Sequence, residues 1–253
     1  VRPPSVPANP AAEWAGVARA RDFARACSAK YADLLPYLDT VSAARDMDGI
    51  RRALGVPRLN YFGYSYGTYL GAVYGKLYPH RVRRMVLDSV VDPDGVWYAD
   101  NLAQDHAFNA RHQAFLAWVA RHDAEYRLGR DPAKVEAAWY AMRSALTKRP
   151  AGGTVGAAEL EDTFLPGGYY DGYWAELATA FAAYAKDGDS APLVSAYQKL
   201  GAVDATGDNG YSIYTAVQCQ DAAWPRSWRT WRADNWRAHR KAPFSTWNNA
   251  WYN

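Results

Sequence analysis

Five consecutive residues form a pattern that can carry out acyl transfer. Gly63, Tyr64, Ser65, Tyr66 and Gly67 match G-x-S-x-G, the pentapeptide that carries the attacking serine in many enzymes that cleave esters and peptides. The pattern stands between a short apolar run and an amphipathic helical segment, so it lies at a turn from strand to helix. The two glycines bring no β-carbon into this crowded turn, which leaves the serine hydroxyl exposed at its tip. The pattern predicts that Ser65 is a nucleophile.

A nucleophilic serine needs a base, an acid that orients the base, and N–H donors for the oxyanion. The residue after the nucleophile supplies one donor from its backbone, here the Tyr66 N–H, helped by the positive end of the following helix. The second donor normally comes from a glycine-rich loop after an earlier strand. Upstream of Ser65 the sequence shows neither such a strand nor adjacent glycines.

No histidine has the sequence context expected of the base. The chain contains five: His80, His106, His112, His122 and His239. The first stands at the far end of the helix after Ser65, about 20 Å away at roughly 1.5 Å per residue. The middle three stand among Arg and Asp on a polar helical pattern and are predicted to be solvated, and the last ends a basic helix.

Two aspartates have the position of the acid in some hydrolases. Asp88 and Asp92 follow the strand expected beside Ser65. Pro93 after Asp92 equally indicates a turn, so both interpretations stay open.

The elements that must position Ser65 are a strand, a helix and a second strand. Residues 58–62 and Arg84–Val91 are apolar runs typical of buried strands, and Tyr66–Tyr78 has helical periodicity that Pro79 ends. Two strands joined by one helix pair in parallel with a right-handed crossover. Two helices are predicted upstream, over about 11–31 and from an N-cap at Asp39 or Thr40 to Gly55.

From Trp97 onward the sequence is dominated by helical patterns. The predicted helices are Ala99–Arg127, Pro132–Lys148, Gly172–Lys186, Ala191–Leu200 and Ser212–Arg240. All tryptophans except Trp14 lie at or beyond Trp97, which indicates an aromatic-rich layer whose rings form a core or line a cleft over Ser65. We predict two domains, residues 1–96 with the nucleophile and residues 97–253 as a helical cap.

Composition bounds the class of protein. The 253 residues are 49% hydrophobic and 15% aromatic, ample for a sizeable core. The net charge is +3, and the one basic cluster, 226–241, alternates with Trp as packed surfaces do, so nucleic acid is not an expected partner. No apolar run approaches the roughly eighteen residues of a membrane span, and no signal segment opens the chain, so Val1 is expected to be an internal or processed start.

Two cysteines, Cys27 and Cys219, are too few for a zinc site, and neither a metal nor another cofactor is expected. They can pair with each other, pair with cysteines outside the chain, or stay free.

The segments around the nucleophile resemble one family. Leu59–Gly71 (LNYFGYSYGTYLG), preceded by Asp46–Arg51 (DMDGIR) and followed by Arg83–Pro93 (RRMVLDSVVDP), is similar to the secreted tripeptidyl aminopeptidases of actinomycetes, α/β-hydrolases akin to prolyl aminopeptidases. The similarity covers about residues 14–93 and continues weakly to Ala216–Asp221 (AVQCQD), which resembles a C-x-D segment near the end of the family's cap. The resemblance implies an α/β fold, with a partial α/β-hydrolase core of parallel strands around a nucleophile elbow and a large helical cap.

The resemblance also implies a function. It indicates a serine exopeptidase that releases short peptides from free N-termini through an acyl-enzyme at Ser65, with the Tyr66 N–H in the oxyanion hole. The family's glycine-rich loop, catalytic Asp and catalytic His would lie outside residues 1–253, so the remaining segments of the same hydrolase are expected as separate or missing polypeptide. Such enzymes are usually exported, which implies secretion and a disulfide from Cys27 or Cys219.

An aminopeptidase must neutralise the free ammonium of its substrate, which requires carboxylates in the cap. The candidates are Glu161, Asp162, Asp171 and Asp221, and of these Glu161 and Asp221 are predicted to bind substrate. Each of the four also fits an ordinary surface or capping role.

Two other functions stay open. The same nucleophile and an aromatic-lined cap suit an esterase or amidase that acts on a small molecule or natural product. Alternatively, the chain is a non-catalytic binding module that retains the elbow. In either catalytic case an incomplete sheet would expose strand edges and apolar surface, so the chain alone is expected to be inactive and poorly soluble.

Overall fold

The structure, a computed structural model, describes residues 1–202 and 209–252. Within these residues the α-helices are α1 (Pro10–Tyr31), α2 (Thr40–Ala53), α3 (Tyr66–Leu77), α4 (Tyr98–Arg121), α5 (Asp123–Tyr126), α6 (Pro132–Lys148), α7 (Ala157–Phe164), α8 (Pro166–Tyr169), α9 (Trp174–Asp187), α10 (Ala191–Ala196), α11 (Asn209–Asp221) and α12 (Trp228–Lys241). The strands are β1 (Leu59–Tyr64) and β2 (Val82–Asp88). Short 3-10 helices cover Leu35–Tyr37, Pro79–Arg81, Asp171–Tyr173 and Asn248–Tyr252, and a π-helix covers Tyr197–Gly201.

The predicted strand, helix and strand around Ser65 are confirmed. β1 and β2 pair in parallel, with Tyr64 opposite Asp88 at their carboxyl ends. β2 ends at Asp88 rather than at Val91, because Ser89 has a φ of 58° and so leaves the extended conformation. The predicted α/β class, with a partial core and a helical remainder, is therefore correct.

The described residues gather into two compact units. The elbow unit consists of residues 18–102 and 209–230 and contains β1, α3 and β2, whereas the helical unit consists of residues 1–17, 103–202 and 231–251. These units are groups of residues in mutual contact, and the functional boundary predicted at residues 96 and 97 stays a prediction.

In the elbow unit, α3 packs closely on the two strands. A β-carbon at Gly71 would lie 2.5 Å from Cε1 of Tyr61 and 2.9 Å from Cδ2 of Leu87, so glycine at this position lets helix and sheet approach. On its other side α3 contacts α2, whose N-cap is Asp39: one of its carboxylate oxygens accepts the Ser42 N–H at 2.8 Å. On the outer face of the strands, Phe62, Tyr64 and Val86 are all more than half exposed.

The helical unit has an aromatic core. Trp139, Phe181 and Phe244 are buried there together with leucines of α4, α7 and α9. This arrangement favours the core interpretation for those rings, because their side chains are removed from solvent.

Several helix predictions were wrong in detail. The predicted helix Ala99–Arg127 is two helices, since the chain turns at His122 between α4 and α5, and the predicted helix Ser212–Arg240 is interrupted before α12 by a segment containing Pro225. Helix α7 was missed. With eight residues it spans little more than two turns, which is too short for a helical period to stand out in the sequence.

Candidate active site

Ser65 has the strained geometry of a nucleophile at a strand-to-helix turn. It lies between β1 and α3 with φ 52° and ψ −127°, a region that a residue with a β-carbon rarely adopts. Its N–H donates to the carbonyl oxygen of Asp88 at 3.1 Å, which ties the turn to the end of β2. The side chain is exposed, and within the described parts of the chain its hydroxyl makes no hydrogen bond and does not cap α3. The hydroxyl is therefore open to a substrate.

Thr68 holds the Ser65 backbone in this conformation. The Thr68 N–H and hydroxyl donate to the Ser65 carbonyl oxygen at 2.9 and 2.7 Å. The same hydroxyl oxygen accepts the Val91 N–H at 3.0 Å, which connects the turn to the segment after β2. Since Thr68 is 1% exposed, water does not compete for these bonds.

The two glycines of the pentapeptide are not equivalent. A β-carbon at Gly63 would lie 2.5 Å from the carbonyl oxygen of Gly67, a backbone atom that cannot move aside without disturbing the turn. A β-carbon at Gly67 would meet nothing closer than the Tyr61 hydroxyl, at 3.5 Å, which is ordinary contact. The expectation that both glycines are needed for space is thus wrong for Gly67.

This asymmetry predicts different costs for two matched substitutions. Gly63→Ala should lower the free energy of unfolding by about 2 kcal/mol or more, because backbone must shift to accept the methyl group. Gly67→Ala should be nearly neutral, since the site has room and alanine favours a helix. Urea unfolding of both variants within a full-length hydrolase that supplies the flanking segments, followed by tryptophan fluorescence, measures the two losses. Equal losses would contradict the argument.

Tyr66 is the first residue of α3, so its N–H belongs to the first-turn donors that have no acceptor within the helix. Its phenol hydroxyl lies 2.8 Å from Oγ1 of Thr40, and its ring centroid lies 5.9 Å from that of Trp97. Burial raises the pKa of the Tyr66 phenol, and the charge of Asp221 contributes in the same direction. The phenol is accordingly protonated at neutral pH.

Asp221 lies in the same network. One of its carboxylate oxygens accepts the Thr40 N–H at 2.7 Å, and the other accepts the Thr40 hydroxyl at 2.6 Å and the Trp97 indole N–H at 3.2 Å. The carboxylate thus stands at the N-terminus of α2, where the helix dipole favours negative charge. Its predicted role in binding substrate stays a prediction, and the network with Thr40 and Trp97 is a role that the sequence did not indicate.

Glu161, the other predicted substrate ligand, is buried in the helical unit. It is 2% exposed, and one of its oxygens lies 2.7 Å from Nη2 of Arg143. Burial raises the pKa of Glu161 to about 7, although Arg143 opposes the shift. Asp105, which the sequence did not single out, is also buried, and its pKa is raised to about 7 by burial and by the charge of Glu161.

The two remaining acidic candidates have surface positions. Asp162 is partly exposed and forms an ion pair with the Arg2 guanidinium. Asp171 is exposed and begins a short 3-10 helix. Both lie in the helical unit, whereas Ser65, Tyr66 and Asp221 lie in the elbow unit.

His112 corrects one expectation. It is buried rather than solvated, with its ring stacked 4.1 Å from Phe244 and edge-on to Trp139 at 4.5 Å. Burial lowers its pKa to about 3, so the imidazole is neutral. The polar neighbours of His112 in sequence lie on other faces of α4. Their polarity therefore did not predict the burial of His112.

The other histidines have separate surroundings. His80 and His106 are exposed, while Nδ1 of His122 lies 2.8 Å from the Trp118 carbonyl oxygen and Nδ1 of His239 lies 2.8 Å from Oγ1 of Thr246. Across residues 1–202 and 209–252, none of the five histidines hydrogen-bonds to Ser65.

The two aspartates after β2 also have local partners. One carboxylate oxygen of Asp92 accepts the Asp94 N–H at 3.0 Å, as a turn-initiating residue does. The Asp88 carboxylate accepts a hydrogen bond from the Ser89 hydroxyl at 3.3 Å. The turn interpretation of Asp92 agrees with this geometry.

Both cysteines are free thiols in the structure. Cys27 is half-buried, Cys219 is exposed, and the two do not pair with each other. Among the described residues, no helix combines the length and the apolar character that crossing a membrane requires.

The fold and the turn at Ser65 together define a class of protein. Residues 19–196 match the family described as alpha/beta hydrolase fold. The chain belongs to this family. A serine on a sharp strand-to-helix turn beside a parallel sheet is typical of hydrolases with this fold.

Individual relatives are more specific. The chain is 48% identical over 252 residues to a protein of Streptomyces lividans named "Tripeptidyl aminopeptidase", an alignment that covers 98% of this chain and 47% of that protein. It is 37% identical over 133 residues to "Serine protease Hip1" of Mycobacterium tuberculosis, covering 47% of this chain and 25% of that protein. The predicted resemblance to the tripeptidyl aminopeptidases is confirmed. The chain spans about half the length of those relatives.

Proposed function

We propose that this chain provides the nucleophile and one oxyanion donor of a serine exopeptidase that releases short peptides from free N-termini. The observation that carries the proposal is the Ser65 turn: a strained serine between β1 and α3 whose exposed hydroxyl makes no hydrogen bond to any described residue. The similarity to proteins named tripeptidyl aminopeptidase and serine protease supports peptides as the substrate class. By the same analogy we propose that the enzyme is secreted and that residues 97–253 act as its cap.

The proposed reaction is an acyl transfer in which Ser65 is the nucleophile. The Ser65 hydroxyl oxygen attacks the scissile carbonyl carbon while a histidine base takes its proton, and the Tyr66 N–H stabilises the resulting oxyanion. Collapse of this intermediate breaks the C–N bond, and the base returns the proton to the departing amine. Water then attacks the acyl-enzyme by the same route, which releases the peptide acid and restores Ser65.

We propose that the base, its acid and the second oxyanion donor come from further segments of the same hydrolase. The exposed side chains of Phe62, Tyr64 and Val86 support this, because the strands and crossover helices of a larger parallel sheet would cover the face on which they lie. In addition, the tripeptidyl aminopeptidase relatives extend well beyond the matched region. A disulfide to Cys27 or Cys219 from such a segment is part of the same proposal.

Recognition of a free N-terminus requires a carboxylate for the ammonium. We propose Glu161 and Asp221 for this role, as the acidic residues that the sequence singled out. Glu161→Gln should then raise KM for a peptide with a free N-terminus and leave KM for a blocked peptide unchanged. For Asp221 the ammonium role and the positioning role argued in the next subsection are alternatives, and Asp221→Asn distinguishes them: a change confined to KM for the free peptide would support the ammonium role.

A chimera tests the proposed function. This chain replaces its 252-residue counterpart in the Streptomyces lividans relative, which supplies the flanking segments. We expect the chimera to cleave a tripeptide p-nitroanilide and to show at least about 100-fold lower kcat/KM on the N-acetylated peptide, because the ammonium partner is lost.

Other outcomes of this assay favour the alternatives. Equal turnover of blocked and free peptides, with faster cleavage of p-nitrophenyl esters, would favour an esterase or amidase. A chimera whose Ser65 does not react with a fluorophosphonate would favour a non-catalytic binding module.

A further inference from the structure

A chain of hydrogen bonds with a defined direction links Tyr66 to Asp221 through Thr40. The Thr40 hydroxyl has one proton, and it donates that proton to the Asp221 carboxylate at 2.6 Å. The contact of 2.8 Å between the Thr40 and Tyr66 oxygens must therefore use the proton of the tyrosine. Tyr66 donates to Thr40, and Thr40 donates to Asp221, so the carboxylate orients both hydroxyl groups.

Thr40 and Asp221, at the end of the hydrogen-bond chain away from Tyr66, are held by further contacts. Thr40 is the first residue of α2 and is 1% exposed, and its N–H also donates to Asp221. Trp97 donates its indole N–H to Asp221, while its ring contacts the rings of Tyr66 and Tyr69 at centroid distances of 5.9 and 5.1 Å. Tyr66 is thus held at its hydroxyl by one partner of Asp221 and at its ring by another.

Fixing the Tyr66 side chain also restrains its backbone. The peptide between Ser65 and Tyr66 carries the N–H proposed as oxyanion donor, and the Ser65 ψ of −127° sets the direction of that N–H. This ψ is strained, so relaxation of Ser65 would turn the N–H away from the oxyanion. A donor that must meet a developing charge loses much of its effect when its orientation changes.

We propose that Asp221, acting through Thr40, is a positioning residue that holds Tyr66 and thereby aims the Tyr66 N–H at the oxyanion. The inference rests on the proposed function of Ser65. It gives Asp221 a part in the rate of the chemical step, which differs from a part in binding the substrate ammonium.

Matched variants of the chimera test the chain of hydrogen bonds. Tyr66→Phe and Thr40→Val each remove one hydroxyl and keep the shape of the side chain, whereas Thr40→Ser retains the hydroxyl. We expect Tyr66→Phe and Thr40→Val to lower kcat about 10-fold with little change in KM, on free and N-acetylated peptides alike. Thr40→Ser should retain most of kcat. Tyr69→Phe, one turn further along α3 and also against Trp97, is the control and should behave as the parent.

A double variant measures whether Tyr66 and Asp221, the two ends of the hydrogen-bond chain, act together on kcat. Asp221→Asn should also lower kcat on both peptides, and the double variant with Tyr66→Phe should be no slower than the more impaired single variant. If the fold-loss in kcat of the double variant equals the product of the two single losses, the residues act independently, and this would overturn the inference. So would a parental kcat in Tyr66→Phe, or an Asp221→Asn variant changed only in KM for the free peptide.

Failure of the proposed function is distinguishable from these outcomes. If Ser65 of the parent chimera does not react with a fluorophosphonate, the proposed function is wrong and the inference falls with it. If the parent reacts and Tyr66→Phe reacts equally fast, only the positioning role is wrong.

Discussion

Replacing Ser65 by alanine in the chimera should lower kcat by at least about 10⁴-fold on the tripeptide p-nitroanilide. The substitution removes the oxygen that forms the acyl-enzyme, and the remaining oxyanion donors and substrate contacts cannot replace it. The fold should be retained, because the Ser65 hydroxyl makes no hydrogen bond in the described residues and the turn is held by backbone and by Thr68. The measurements are steady-state kinetics and mass-spectrometric localisation of a fluorophosphonate adduct.

The chain offers a closely matched control for this experiment. Ser89 is also an exposed serine in the elbow unit, follows a parallel strand directly, and has a positive φ of 58°. Ser89→Ala should leave kcat and labelling unchanged, since the residue precedes no helix N-terminus that could stabilise an oxyanion. Turnover by Ser65→Ala within 10-fold of the parent would show that another group attacks the substrate, and the proposed function would then be wrong.

The second large effect concerns stability and pH. Burial raises the pKa of Glu161 from 4.5 to about 7 and that of Asp105 from 3.8 to about 7. Between the pKa of each carboxyl in the unfolded chain and its raised pKa in the folded chain, the folded chain binds more protons than the unfolded chain. The free energy of unfolding therefore falls as pH rises through this range. The stabilisation is complete below about pH 4 and is lost as pH rises through 7. For Glu161 alone, the free energy of unfolding falls by roughly 3 kcal/mol over this pH range, at about 1.36 kcal/mol per pKa unit.

Variants isolate this contribution from the other titrating groups. Urea unfolding of the chimera from pH 4 to pH 8 should show a flatter loss of stability in Asp105→Asn than in the parent chimera, because the amide cannot ionise. Glu176→Gln is the control: Glu176 pairs with Lys199 at 2.6 Å on the surface, and the pH dependence should remain that of the parent. A parental pH dependence in Asp105→Asn would show that Asp105 ionises in the folded chain as easily as in the unfolded one.

Local sequence was sufficient to predict the turn and its immediate elements. The pentapeptide, the apolar run before it and the helical run that ends before Pro79 are short-range signals, and each reports a conformation set by neighbouring residues. The predicted β1, α3 and β2 therefore differ from the structure by only a few residues at their ends. The resemblance to a known family then led from the predicted turn to the α/β-hydrolase class.

The sequence by itself determined that Ser65 lies at a strand-to-helix turn of an α/β-hydrolase. Only the tertiary structure decided that His112 is buried, that burial raises the pKa of Glu161 and Asp105 to about 7, and that Asp221 reaches Tyr66 through Thr40. Burial and hydrogen bonding at these sites depend on residues far apart in the chain; Thr40 and Asp221 are separated by 181 positions. Neither residue type nor periodicity indicates which distant segment buries a given side chain. Burial, the raised pKa values and the hydrogen bonds between distant residues therefore follow from packing alone.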